Sequence, residues 1–333
     1  MRTAEFVSPK HPDKICDIIS DTILDCYLEK DSESKCAIET MGGHGKVWIS
    51  GEISSNANID NEQIIDIVNK VSGVTDVTIN IKNQSEVFQK NLLDGNSSDQ
   101  CTVIGFAINE TTSRIPFEYE FARGLNKFIY QYYPYDGKTQ VTINGNHARV
   151  TASFQNSKTN HLSELIDLYF KENLYKVALQ EFKVAQKFCN PLGEWSIGGF
   201  DVDTGISGRK NVLDSYGPRV PTGGVSFSGK DGSKIDRCAS YMARKIAIDY
   251  LNKHRLMYCM VELSYSIGSN EPIIKRVKGN DQGVQYETGI KLYEVEGYDL
   301  KPQSIINLLD LKKPQFAKLS QWGHFGNGCI WDL

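Results

Sequence analysis

Between Gly223 and Arg237 the chain gathers four glycines, three serines, two lysines, two aspartates and an arginine, then opens an apolar-periodic helix. Glycines let main chain approach a ligand closely. Lysines beside carboxylates suit a polyphosphate with its metal ions. Gly224 to Lys230 reads G-x-x-x-x-G-K, but Asp231 follows where a phosphate-binding P-loop needs a Ser or Thr for magnesium. The preceding Tyr216–Pro221 segment is not a buried strand either, so that motif is rejected.

The same chemistry recurs twice. His11-Pro12-Asp13-Lys14 stands at the mouth of a helix, and Asp203-Thr204-Gly205-Ile206-Ser207-Gly208-Arg209-Lys210 lies upstream of the glycine segment. Each places an acid beside Lys or Arg at a turn or helix start. Each residue also has a plainer reading. Asp13 could simply sit against the helix dipole. Ser233-Lys234-Ile235-Asp236 matches a capping box. Lys138, Arg209, Lys210, Lys230 and Lys234 could be solvated charges, Glu39 and Glu52 solvent-facing strand residues, and Trp195 core.

The elements that must hold these residues follow from periodicity. After Pro12, Ile15, Ile18, Ile19, Thr22, Ile23, Cys26 and Tyr27 make one stripe, and Asp17, Asp21 and Asp25 fall on the other. Strands are expected at 35–41, 46–54, 77–82, 102–109, 184–189, 258–267 and 273–278. Asn144-Gly145 joins a hairpin of 140–144 and 148–155. Helices are expected at 61–72 with Asp60 as N-cap, and at 117–133, 162–178, 233–254 and 302–309. Residues 83–100 read as a long polar loop of the kind that forms lids. Pattern fades from Pro191 to Gly232, where glycine abounds.

The 333 residues suffice for one large or two to three small domains. Hydrophobic residues make up 40% and charged residues 23%, as in ordinary globular chains. A formal charge of -4 argues against a nucleic-acid or membrane-surface partner, which wants a basic excess. No apolar run is long enough to span a bilayer, and Met1–Glu5 lacks an apolar signal region, so a cytoplasmic location is expected. The eight cysteines form no C-x-x-C pair, which favours reduced thiols over a zinc site.

Taken in order, these segments resemble the S-adenosylmethionine synthetase (methionine adenosyltransferase) family. The helix-opening signature is similar to His11–Asp17 and the glycine-rich signature to Gly223–Asp231. Shorter matches include Ile38-Glu39-Thr40, Ser50–Ile53, Asp99-Gln100, Lys138–Thr142, Cys189-Asn190-Pro191, Ile197-Gly198-Gly199, Ser264–Gly268 and Gly323–Gly326. The resemblance implies an α+β fold of three similarly built helix-plus-sheet subdomains, related by approximate threefold repetition, here at 1–90, 95–197 and 198–333. It implies attack of methionine sulfur on C5′ of ATP, loss of tripolyphosphate, and hydrolysis of that product to pyrophosphate and phosphate. It implies two magnesium ions, at Asp13 and Asp236, and potassium at Glu39. His11, Lys138, Arg209, Lys210, Lys230 and Lys234 would bind the triphosphate, with Asp203 at the ribose or nearby. Trp195 would stack on adenine. Glu52, Gln89, Asp203, Lys234 and Ile267 would line the methionine pocket, and Asp99 the developing sulfonium. A homodimer or tetramer with sites at the subunit interface is also implied.

Four departures stand out: Pro9-Lys10 for Glu-Gly, Asn96–Cys101 for Gly-Ala-Gly-Asp-Gln-Gly, Thr222-Gly223-Gly224-Val225 for His-Gly-Gly-Gly, and Glu194 for Arg. A polyphosphate or nucleotide hydrolase and a non-catalytic partner subunit remain the alternatives. Formation of S-adenosylmethionine separates them from the transferase.

Overall fold

The computed structural model of the chain describes residues 1–84, 96–97, 99–173, 183–281 and 289–333. Its strands are β1 Arg2–Val7, β2 Lys35–Gly43, β3 Lys46–Ser54, β4 Asp76–Asn83, β5 Cys101–Ile108, β6 Gly137–Asn144, β7 His147–Phe154, β8 Lys183–Cys189, β9 Gly205–Ile206, β10 Tyr258–Tyr265, β11 Ile274–Asn280 and β12 Lys291–Tyr293. The helices are α1 Pro12–Lys30, α2 Asn61–Ser72, α3 Phe117–Tyr130, α4 Thr159–Asn173, α5 Asn211–Asp214, α6 Ile235–Lys253, α7 Pro302–Leu308 and α8 Phe316–Trp322.

Among the described residues these make a mixed α+β protein with three four-stranded sheets, in the orders β4-β3-β2-β9, β1-β6-β7-β8 and β12-β11-β10-β5. Helices α1 and α2 cover the first sheet, α3 and α4 the second, and α6 the third, with α7 packed on α6. Buried apolar side chains from all three units form one cluster. Each sheet takes its strand beside the hairpin from a distant part of the chain: β9 pairs with β2, β1 with β6 and β5 with β10, all antiparallel.

The strongly patterned elements fall where the sequence puts them. Asp60 caps α2, accepting from Gln63 N at 2.8 Å, with the reciprocal Gln63 bond present. Five short elements among the described residues escaped the pattern: β1, β9, β12, α5 and α8. In α1 the acid stripe was misjudged. Asp17 and Asp21 are fully buried and Asp25 is half-buried, because all three accept hydrogen bonds from segments far along the chain. All eight cysteines are free thiols. Among the described residues no helix is long and apolar enough to cross a membrane.

Candidate active site

Two segments dock end to end along the free edge of β2. Met41 and Gly42 pair with Ile206 and Gly205 of β9, and Ser207 N donates to Thr40 O at 2.9 Å. Further along, Ile38 N donates to Gly229 O at 3.1 Å, Lys230 bridges Ala37, and Asp231 N donates to Cys36 O at 3.2 Å. On their other side both segments meet α1. Only glycine fits at the tight points. A Cβ on Gly229, whose φ is +77°, would lie 1.9 Å from Ile38 O, and one on Gly205 would lie 2.1 Å from Pro12 O.

At the first docking point stands a basic cluster around one carboxylate. His11 caps α1 and its Nδ1 accepts from Asp13 N at 3.2 Å, which leaves the ring proton on Nε2. Asp13 Oδ1 accepts from Ile206 N at 3.0 Å and lies 3.6 Å from Arg209 Nε. Asp13 Oδ2 pairs with Lys210 Nζ at 2.5 Å. Burial raises the Asp13 pKa, but the Lys210 and Ile206 hydrogen bonds outweigh it and hold the carboxyl below its usual range. Burial, then Lys210 and Lys138, push His11 down to about 3. Asp203 acts on His11 in the opposite sense, so Lys138 and Asp203 belong to the same electrostatic neighbourhood. Lys138 on β6 faces Ser153 on β7, and Ser153 Oγ accepts from Trp195 Nε1 at 2.9 Å. Trp195 therefore stands beside Lys138.

At the second docking point, Lys230 Nζ pairs with Asp236 Oδ1 at 2.8 Å, and the same oxygen accepts from Ser226 N at 2.9 Å. The capping-box expectation fails here. Helix α6 begins at Ile235 with Lys234 as N-cap and no side-chain cap bond, and Ser233 Oγ is buried without a hydrogen-bond partner. Asp236 is engaged by the glycine segment instead. Lys234 is half-buried beside it. Asp236, Lys230 and Asp99 all act on the Cys101 thiol, which burial first and then Asp236 push up to about 12. Asp99 is thus close to this cluster.

Glu39 and Glu52 lie on the exposed face of the first sheet. Glu39 Oε2 accepts from Ser207 Oγ at 2.6 Å. Glu52 sits opposite Ala37, which sits opposite Lys230, so Glu52 and Lys230 share that face. Met41, Trp48 and Ile206 are large apolar residues exposed on the same face, at 42%, 40% and 38%. Ile267 is 54% exposed, in a turn tied to the Asp99 loop by Gly268 N to Ser97 O at 2.9 Å. Gln89 and most of the expected lid lie outside the described residues.

The structure brings His11, Asp13, Lys138, Asp203, Arg209, Lys210 and Trp195 into one group, and Lys230, Lys234, Asp236 and Asp99 into another. Nothing described joins the two groups directly. Along β2 the partner of Lys230, Ala37, and the partner of Ile206, Met41, are four residues apart, a gap of about 13 Å at roughly 3.3 Å per residue. Two departures have local explanations. Glu194 binds Lys158 Nζ at 2.7 Å and Thr159 N at 3.0 Å at the start of α4. Lys10 Nζ donates to Val71 O at 2.7 Å at the end of α2. Among the described residues no group of three or more His, Cys, Asp or Glu side chains is placed to hold a metal. The buried carboxylates Asp17 and Asp21, which tie both docked segments to α1, were missed by sequence reasoning. Their spacing of four residues from Asp13 was the available signal.

Residues 1–94 match the family model described as S-adenosylmethionine synthetase, N-terminal domain, and residues 197–332 match the corresponding C-terminal domain. The S-adenosylmethionine synthase of Mycoplasma capricolum is 35% identical, over 97% of this chain and 92% of the relative. That of Petrotoga mobilis is 34% identical, over 97% and 93%. A solved structure, an unusual S-adenosylmethionine synthetase from Campylobacter jejuni, superposes with a TM-score of 0.84 at 27% identity, covering 100% of this chain and 96% of the other.

Proposed function

The chain belongs to the S-adenosylmethionine synthetase family and is an enzyme of that kind, a methionine adenosyltransferase, and from that premise we propose how its own residues carry the reaction. Methionine sulfur attacks C5′ of ATP in line. The new C–S bond forms as the C5′–O bond breaks, and the electron pair leaves with intact tripolyphosphate. A thioether is neutral and needs no general base, so the task of the protein is positioning and charge stabilisation.

The observation that carries this reading is a repeated pair. Asp13 holds Lys210 at 2.5 Å, and Asp236 holds Lys230 at 2.8 Å, each at a helix start beside a glycine-bearing segment. In both, a lysine is parked on a carboxylate. An incoming triphosphate takes the lysines and releases the carboxylates. His11 stays neutral and donates from Nε2. Arg209, Lys138 and Lys234 add positive charge, and each strong contact to the leaving group is worth about 3 kcal/mol by analogy with oxyanion donors. Trp195 stacks on adenine beside Lys138, and Asp203 holds the ribose. Glu52, Asp203, Lys234, Ile267 and Gln89 form the methionine pocket, with Asp99 near the sulfonium.

Asp13 and Asp236 each offer hard carboxylate oxygens, which fits magnesium that takes its other ligands from phosphate and water. Magnesium held there would help to neutralise the charge that develops on the leaving group. Glu39, exposed and held by Ser207, is the potassium ligand. Retained cations at both clusters then serve hydrolysis of tripolyphosphate to pyrophosphate and phosphate.

We also read the three units, 1–90, 95–197 and 198–333, as approximate threefold repeats that exchange edge strands. Support comes from the shared pairing of a foreign strand against the first strand of each hairpin. The exposed apolar residues Met41, Trp48 and Ile206 beside Glu39 support a homodimer at least, closing each site across this sheet face. A cytoplasmic location completes the reading.

Oxygen-18 placed at the bridging 5′ position of ATP tests the chemistry. Attack at C5′ sends all of the label into the phosphate products. Label retained in an adenosine-containing product shows attack at phosphorus and supports a hydrolase instead.

A further inference from the structure

Helix α1 carries carboxylates at 13, 17, 21 and 25, one turn apart on one face. Together they accept main-chain N–H groups from three later segments. Asp13 takes Ile206 N, and Asp17 takes Gly208 N at 2.8 Å. Asp21 takes Gly229 N at 2.7 Å. Asp25 takes Gln315, Phe316 and Ala317 N at 3.0, 3.0 and 2.8 Å. From Asp13 to Asp21 the helix rises about 12 Å, at 1.5 Å per residue. This matches the strand distance between the two docking points.

Asp21 has a partner the others lack. Its Oδ1 also receives Arg237 Nη2 at 2.7 Å, and both side chains are fully buried. Arg237 in turn donates Nε to Lys230 O at 2.5 Å, Nη2 to Phe227 O at 2.6 Å and Nη1 to Tyr241 Oη at 2.8 Å. Its guanidinium lies 4.1 Å from the Phe316 ring centre, and Tyr241 Oη is 2.8 Å from His324 Nδ1. The pair therefore grips the main chain at residues 227, 229 and 230, immediately behind the Lys230 side chain. None of its atoms faces the candidate site.

We infer that Asp21 and Arg237 are positioning residues that fix the main chain of Phe227–Lys230, and so aim Lys230 at the phosphate chain. The inference rests on the proposed phosphate-binding role of Lys230. Asp60, which caps α2 and touches neither docked segment, is a built-in control for loss of stability.

Titration calorimetry with magnesium tripolyphosphate tests it on the intact protein. Asp21→Asn weakens binding about tenfold or more, because a small misplacement of one contact has that scale of effect. Asp60→Ala lowers the melting temperature and leaves tripolyphosphate affinity within about twofold. In a Lys230→Met background, Asp21→Asn adds nothing further, since its effect runs through Lys230. Should Asp21→Asn fail to fold, Tyr241→Phe removes one support of Arg237 and weakens binding a few-fold, again only when Lys230 is present. Unchanged affinity in Asp21→Asn or Tyr241→Phe, additivity with Lys230→Met, or equal weakening by Asp60→Ala overturns the inference. Unchanged affinity in Lys230→Met alone overturns the phosphate-binding role of Lys230 instead.

Discussion

Asp13→Asn removes one charge at constant volume and spares the acceptor for Ile206 N. What it takes away is the counter-charge of Lys210 and Arg209. Breaking a buried ion pair costs about 3–5 kcal/mol when the partner stays buried. Here Lys210 retains 16% exposure and Arg209 54%, so the loss should fall near the lower end of that range or below. A fall of several degrees in Tm, with unchanged circular dichroism, is expected. Ligand binding separates the two roles open to Asp13. Without Asp13, Lys210 no longer has to leave a carboxylate to meet phosphate, so metal-free tripolyphosphate binds the variant more tightly than the parent. The increment in affinity that magnesium gives the parent shrinks, because one carboxylate ligand is gone. Turnover falls about a hundredfold or more, in line with loss of one preorganised charge at the leaving group. Calorimetry with and without magnesium, followed by steady-state rates at saturating magnesium, makes the comparison. A variant with the parent's magnesium dependence and turnover refutes the metal role and leaves Asp13 as a helix-start charge held by Ile206, Arg209 and Lys210.

Trp195→Ala should raise the KM for ATP about 5- to 100-fold, since stacking of a base on an aromatic ring is worth about 1–3 kcal/mol, while tripolyphosphate affinity stays unchanged. His11 binds a proton in the unfolded chain below about pH 6.5 and in the folded chain only near 3, so stability is full above 6.5 and falls as pH drops toward 3. Urea titrations of His11→Asn should accordingly show a shallower loss between pH 6.5 and 4.5, by up to about 2.7 kcal/mol. Parallel slopes for parent and variant contradict that assignment. Mixing inactive Asp13→Asn with inactive Lys230→Met should restore activity through hybrid dimers, and no rescue despite subunit exchange seen by mass counts against shared sites. Gly229→Ala should cost at least about 1–2 kcal/mol for its positive φ alone, because its Cβ must also displace Ile38 O, and it should weaken tripolyphosphate binding with it.

Local chemistry was legible in the sequence and long-range partnership was not. Asp60 and Gln63 announce a cap because both partners lie within four residues. The Ser233–Asp236 pattern announces one just as clearly, yet Asp236 turns to Ser226 and Lys230. Spacing alone cannot tell which acceptor wins when a second donor folds in from outside. Asp17, Asp21 and Asp25 look like the wet face of an amphipathic helix. They are buried because glycine-rich and C-terminal segments, 190 residues and more away, bring main-chain N–H groups that need acceptors. Strand β9, two residues long, is too short to give a period of its own, and the partners of β1 and β9 are fixed only by tertiary packing. The charged triplet of His11, Asp13 and Lys210, by contrast, was visible as two motifs. The structure adds that they meet on one carboxylate.

Incubation of the purified protein with ATP, methionine, magnesium and potassium, followed by mass detection of every product, tests the central claim most directly. The expected result is S-adenosylmethionine with pyrophosphate and phosphate in equal amounts, all dependent on methionine. Phosphate release that ignores methionine, with ADP or AMP and no sulfonium product, would contradict it.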